Sequence, residues 1–518
     1  MRGEIRRICS ILLIALVAVG KVQAEDEPPV VLSGDRTFIY IDRLPLQGDE
    51  TLMDVLQMHP ELLIAGFENA LDHYQLRMEN TVIYSNIRQY LTSTPAKDFI
   101  RIQICENPGV AKGTPGLDGV IELDMRRNNE GVHGLVNLEG ATSTDVAPLV
   151  KINYGRTDSA NYGTDLYALT SACVHHPGLT TDLHQYADIY LHQQLGNRDK
   201  LLVYMRQSYQ QEGDRSTEKK YLARARYFHT FNDIGTELLL LAGYQYTDGV
   251  KRTGTQMYLV ELNTPLPFAK GLDLMAGWEI DIASDRYAVM NNDLYLQLDY
   301  TLGPISLSIG DRVSFYNYGE IASLVSSSHK DTRNYIMASL AARPAKGHQL
   351  QAGYYRNFIN PGINLFQPDS LGEERKADVA RLAYSFSHRY VLVNVGTRYI
   401  HMVDSNTHAL QINASASWMI DWLTLTGGGS MSYDISTHTP YGSVRLAPTF
   451  RLPEQWRIAA QLIWYSDKAP ERIITSAPVY GLIGIEKSID AIFDLSLQWH
   501  DPFNRRMSAV LFSGKIRF

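Results

Sequence analysis

The 518-residue chain carries 48 basic and 56 acidic side chains, giving a formal charge of −8, together with 31 tyrosines. An acidic balance with scattered basic residues argues against nucleic acid as a partner. Three cysteines (Cys9, Cys105 and Cys173) are too few for a disulfide framework and show no zinc spacing, so neither metal nor cofactor is expected.

The first element is an export signal. Arg2, Arg6 and Arg7 precede an apolar run from Ile8 to Val19, and Val22-Gln23-Ala24 supplies the small-x-small pattern of a cleavage site. This describes a cleavable secretory signal over residues 1–24, too short and wrongly flanked for a spanning helix. No later stretch is long and charge-free enough for one either, although the tyrosine load and near-neutral hydropathy suit a membrane barrel, where only alternate residues meet lipid. Residues 25–50 read as a leader. Within it, Pro28-Pro29-Val30-Val31-Leu32-Ser33-Gly34 is the one extended segment suited to adding a strand to a partner's sheet edge.

From 51 to 130, helix and strand signals mix. Thr51 to Met58 reads as a short amphipathic helix with Leu52, Val55 and Leu56 on one face, Asp49 available as cap and Pro60 ending it. Gln75–Met78, Glu79-Asn80 and Thr81–Tyr84 read as strand, tight turn and strand. Ile100, Ile102 and Ile104 alternate with Arg101 and Gln103, the signature of a half-buried strand. A Gly/Pro-rich turn from Asn107 to Gly119 leads into Val120–Leu123. Cys105, at a strand end, is expected to be a small buried apolar residue.

From 131 to 518 the pattern is one of repeated alternation. Leu294, Leu296, Leu298 and Tyr300 alternate with Asp293, Tyr295, Gln297 and Asp299; Phe493, Leu495, Leu497 and Trp499 alternate with Asp494, Ser496 and Gln498. Such segments number about 22, and connections at one end (Gly303-Pro304, Ile420–Trp422) are shorter than those at the other (Tyr318–Arg333, Ile359–Lys376). The expected fold is mainly β: a large antiparallel transmembrane barrel of about 22 strands, its lumen filled by a small α+β plug. Trp418, Trp422, Trp456, Trp464 and Trp499 flank strand ends, as interfacial girdles do. In the last strand Val510, Phe512, Ile516 and the terminal Phe518 face away from Ser513, Lys515 and Arg517; a terminal aromatic resembles the signal read by the outer-membrane barrel assembly machinery.

The segment Thr51–Met125 resembles the plug domain of TonB-dependent outer-membrane receptors. The matching positions are Thr51-Leu52-Met53-Asp54-Val55-Leu56 with Pro60, then Ile100-Arg101-Ile102-Gln103-Ile104, the Asn107-Pro108 turn, and Gly119-Val120-Ile121-Glu122-Leu123. Tyr354-Tyr355-Arg356, Pro361 and Leu365-Phe366 are similar to a stretch of receptor-like barrels. The resemblance implies a solute transporter of the cell outer membrane, with Pro29, Val30, Val31 and Leu32 as a contact segment for TonB and a surface lipoprotein as a further partner. Inner-wall Arg224, Arg226, Asp293, Arg381 and Arg398 would hold the plug by water-replaceable bonds. Modest outer connections keep an alternative open: a receptor-derived barrel that no longer transports and serves as a scaffold in an outer-membrane complex.

Other chemistry is weakly supported. His175, His176 and His184 fall near an outer connection, where imidazoles hold metal or haem, but paired surface histidines are common. Glu373, Glu374, Arg375 and Lys376 read as a solvated charge run. Ser328-His329 and Trp499-His500-Asp501 supply hydrolase residue types, yet neighbours on a strand point to opposite faces, so an enzyme is not expected.

Overall fold

The computed structural model describes residues 28–33, 36–46, 50–59, 74–78, 81–82, 87–105, 110, 119–126, 131–141, 146–159, 162–175, 182–212, 216–231, 233–249, 252–284, 287–320, 329–359, 375–388, 390–403, 406–435, 438–467, 478–490, 492–503 and 508–518. Two sheets account for nearly all of them. The smaller has six strands: β1 (Val30–Ser33), β2 (Arg36–Tyr40), β3 (Tyr74–Met78), β4 (Thr81–Val82), β5 (Phe99–Cys105) and β6 (Gly119–Met125), in the order β1-β2-β5-β6-β3-β4. Only β3 and β6 run parallel. The strands β1 and β2 lie within the leader but join this sheet, so the plug's fold begins upstream of Thr51.

Helix α1 (Leu52–Leu56) presents Leu52, Val55 and Leu56, all fully buried, to the sheet. Its cap is Thr51, not Asp49, which lies outside the described residues. Asp54 N–H donates to Thr51 Oγ1 (3.3 Å) and Thr51 N–H donates to Asp54 Oδ2 (2.9 Å), closing a capping box. A second helix, α2 (Ile87–Ser93), has no counterpart in the sequence expectations and buries Tyr90 and Leu91 against the same core. In β5, Phe99, Ile102 and Ile104 point into that core, whereas Ile100 is exposed, because the register shifts between Phe99 and Arg101. A β-bulge of this kind breaks strict alternation.

The larger sheet is a closed barrel of 22 antiparallel strands, from β7 (Gly131–Ala141) to β28 (Ala509–Arg517). Strands range from 8 residues in Phe493–His500 to 17 in His329–Ala345. The last strand pairs with the first, Leu511 to Arg517 against Ala141 to Leu135, leaving no edge for another chain to extend. Short turns mark the end where the chain terminates: at Gly303 a positive φ of 57° lets the chain reverse within two residues. The segment Tyr162–His175 is a full strand.

Alternation in the barrel runs in the sense opposite to that of a soluble protein. Leu294, Leu296 and Leu298 are 51%, 49% and 38% exposed on the outside, while Asp293, Tyr295 and Gln297 between them are at most 5% exposed. An outer surface this apolar is stable only against acyl chains. Trp418, Trp422, Trp456, Trp464 and Trp499 are all exposed toward the strand ends, as interfacial anchors are. Among the described residues no helix is long and apolar enough to cross a membrane; the chain crosses with strands.

Candidate functional site

The site is the joint between plug and inner wall. A period of two places every second wall residue in the lumen, and polar side chains at those positions on several strands reach the plug. On one side Gln349 accepts from Leu32 N–H at 2.7 Å and donates to the Val30 carbonyl, a two-point grip on the free edge of β1. Further round, the Met58 carbonyl accepts from Ser415 Oγ (2.9 Å) and Asn394 Nδ2 (3.3 Å), and the Arg398 guanidinium donates to the Tyr74 hydroxyl at 3.2 Å. Arg445 donates to Gln57, Arg451 to Glu50, and Arg457 pairs with Asp54 at 2.9 Å. Across the lumen Lys151 donates to Asp98 at 2.7 Å, and Arg312 reaches the Val110 carbonyl at 3.3 Å.

The electrostatics at α1 follow from that geometry. Burial alone would raise the Asp54 pKa, but the Arg457 guanidinium and the two Thr51 hydrogen bonds outweigh it and hold the carboxyl below its ordinary value. An apolar seam supplements the polar bonds. Leu135, Leu149, Leu169, Leu392 and Met419 of the wall are continuous with the plug core.

The positions singled out from sequence fall as follows. Val30, Val31 and Leu32 are buried; their backbone pairs with β2 on one side and Gln349 grips the other. Pro29 accepts a backbone hydrogen bond from Tyr40 N–H at 2.8 Å. Arg101 forms an ion pair with Asp124 and lies 5.2 Å over the Phe38 ring. At Gly119 an added Cβ would lie 2.4 Å from the Tyr74 ring and 2.8 Å from the Cys105 carbonyl, so only glycine fits between those strands. Val120 and Cys105 are buried. Asn107 and Pro108 lie outside the described residues, as do Pro361, Leu365, Phe366, Glu373, Glu374, Ser328 and His176.

Of the five wall residues expected to hold the plug, Arg398 meets Tyr74. Asp293 accepts from Arg312, Arg381 donates to Gln351 at 2.7 Å, Arg224 lies 2.9 Å from the Met257 sulfur, and Arg226 is buried. Gln349, Ser415, Asn394, Arg445, Arg451, Arg457 and Lys151 were missed, although all sit at inward positions of alternating strands. Among the described residues no group of three His, Cys, Asp or Glu side chains is disposed to hold a metal. His500 bonds to the Tyr480 hydroxyl at 2.9 Å and to Gln498, while Trp499 points outward.

A closed 22-stranded barrel whose wall grips a six-stranded plug has the fold of TonB-dependent outer-membrane receptors. Comparison with known proteins agrees at the level of fold. No family model matches the sequence, and no curated protein matches it. Solved structures do. The siderophore receptor PirA from Pseudomonas aeruginosa superposes with a TM-score of 0.67 at 12% identity, over 95% of this chain and 100% of that one. The alcaligin outer-membrane receptor FauA from Bordetella pertussis gives 0.65 at 13% identity, over 97% of each chain. The ferric-catecholate import receptor Fiu from E. coli K12 gives 0.66 at 10% identity, over 94% of this chain and 97% of that one. These neighbours are transport receptors, and the apolar outer belt places this chain in the outer membrane.

Proposed function

We propose that the chain is a TonB-coupled, receptor-type transporter that brings a solute across the outer membrane past its plug. The supporting observation is the character of the plug–wall joint. Its bonds are polar, drawn from several strands, and replaceable by water, so the plug can be displaced without opening the strand ladder. The segment pulled by the inner-membrane motor would be the leader, with Pro29, Val30, Val31 and Leu32 as the contact. Because Gln349 occupies the edge of β1, engagement by strand addition must first break that grip. The chain is divided accordingly: signal 1–24, leader 25–50, plug 51–130 and barrel 131–518, with the leader's strands β1 and β2 completing the plug sheet. Phe518, whose ring packs where Gly134 leaves space, is the assembly signal.

The solved neighbours named as siderophore receptors make ferric chelates the first solute class to test. Deleting Pro28–Gly34 should abolish energised uptake, and crosslinkers at Val30–Ser33 should capture TonB; uptake at the full rate after the deletion would overturn the proposal. A second reading has its own observation. The outer connections are short, the longest being 360–374, which leaves little surface for capturing a large ligand. On that reading the barrel is a scaffold for an envelope complex that includes a surface lipoprotein. Unchanged growth on every chelate, together with loss of that complex on deletion, would favour it.

A further inference from the structure

A carboxylate stands on the outer face of the barrel at a depth where hydrocarbon surrounds it. Outward positions of β17 (Ile305–Glu320) read Ile309, Asp311, Val313 and Phe315, and Ile336 of β18 (His329–Ala345) lies opposite Asp311. Ile309 and Phe315 are 50% and 43% exposed, so the exposed Asp311 has lipid-facing side chains below and above it. Its partner among the described residues is Asn334, whose Nδ2 donates to Oδ1 at 2.8 Å and to Oδ2 at 3.0 Å. One amide nitrogen leaves most of the acceptor capacity of a carboxylate unused. An ionisable side chain at this depth marks contact with something other than acyl chains, which bring no donor. Within hydrocarbon the donor must come from a spanning wall, and for an outer-membrane neighbour that wall is a second barrel.

This chain's own wall holds a matching donor. Ile309, Ala338 and Tyr354 form one row across β17, β18 and β19 (His348–Ile359), and Asp311 and Arg356 each lie two residues beyond it toward the outer side. Their strands flank β18, about 10 Å apart at two strand spacings. Strand tilt lifts Arg356 above Asp311 by about 6 Å, within the length of an arginine side chain. Asp378 of β20 (Arg375–His388) fixes the guanidinium on the outer face, accepting from Nε at 2.8 Å and from Nη2 at 3.4 Å, a grip that leaves Nη1 for a second acceptor. Exposed Ala338, Ala352 and Ala380 lower the surface around these groups, so a second convex wall can come close. In a pair related by a two-fold axis along the membrane normal through β18, a group on one side of the axis meets the group on the other side of its copy. Asp311 then faces Arg356 of the second copy, and the contact is made twice.

We infer that strands β17 to β20 form the face through which two copies of this chain pair side by side in the membrane, joined by Asp311 of each and Arg356 of the other. The inference does not depend on what the lumen carries, so it and the transport reading fail separately. The test is thiol crosslinking of the full-length protein in native outer membranes. Ile336→Cys, beside the axis, should give a self-linked product of twice the mass with a short bifunctional reagent. Leu446→Cys, exposed on a distant part of the lipid face, and the unsubstituted chain should give none. Added to Ile336→Cys, either Asp311→Arg or Arg356→Asp sets like charges against each other and should cut the yield about tenfold or more. Expressed together with different tags, those two variants should link to each other, because each presents the charge the other lacks. Heat-modifiable migration on gels shows whether each variant has assembled. Should a reversed charge prevent assembly, Asp311→Asn, which removes the charge alone, should still lower the yield on an assembled barrel. No self-linked product from Ile336→Cys, an equal yield from Leu446→Cys, linkage only to a different protein, or assembled charge variants that pair as well as their parent would each overturn the inference.

Discussion

Barrel and plug are built from the same side chains under opposite rules. In the barrel strand Tyr287–Leu302, leucines face outward and Asp293 and Gln297 face in; in the plug strand Gly119–Met125, Gly119 through Leu123 are all buried, with sheet neighbours on both edges. The plug is a small domain built round an apolar core, whereas the barrel is a ring whose apolar surface is completed by lipid. What joins them is neither kind of core alone, but a polar layer from inward wall positions, backed by apolar wall residues that extend the plug core. The difference predicts that damage to one region should leave the other standing.

The largest test removes plug packing. Ile121, fully buried in the plug core, changed to Ala should cost roughly 2–5 kcal/mol, measured as loss of plug protection against protease. The barrel should keep its heat-modifiable migration on gels; equal loss of both would show a single cooperative unit instead. Next comes the lipid face. Leu296→Arg, near the middle of its strand, should cost roughly 2–4 kcal/mol in reversible unfolding from vesicles, and a neutral result would mean that this face does not meet lipid. A smaller effect is expected at the joint. Gln349→Ala leaves the Leu32 N–H and Val30 carbonyl without their wall partner, worth about 1–3 kcal/mol, and hydrogen exchange at Leu32 should quicken while the core of α1 stays protected. Unchanged exchange at Leu32 would mean that β1 is held by its pairing with β2 alone.

These regions differed equally in how far they could be read from sequence. Barrel alternation is local: Leu294 to Asp299 reports its own two faces, and a strand count follows from repetition. The plug helix α1 was also legible, although its cap moved from Asp49 to Thr51, because two acceptors lay within a residue or two of the boundary. Helix α2 was not, since Ile87 to Ser93 has few apolar positions and its burial depends on a core supplied by distant strands. The grip on the plug was least legible of all. Alternation shows that Gln349, Arg445 and Arg457 point inward, but their partners Val30, Gln57 and Asp54 lie hundreds of residues away in the chain. Nothing in a single sequence pairs them. Arg224 and Arg381 look equally suited, and the contacts they show are to Met257 and Gln351 on the wall itself.

The smallest and most specific effect concerns the ion pair between α1 and the wall. Asp54 serves both regions at once, closing the capping box with Thr51 and accepting from Arg457 at 2.9 Å. Its folded-state pKa lies below the ordinary value of 3.8 despite burial, so it contributes stability that is fully present above that value and is lost as pH falls through the lower, folded one. Plug protection should therefore hold from pH 7 to about 5 and weaken below about 4, when the carboxyl takes up a proton. Asp54→Asn keeps the shape but not the charge. It should lower plug stability by about 1 kcal/mol at pH 7 and flatten the acid limb of the profile, because the group responsible for that slope is gone. An unaltered acid limb in the variant would show that the Asp54–Arg457 pair does not carry the slope, and that the plug is anchored elsewhere along the joint.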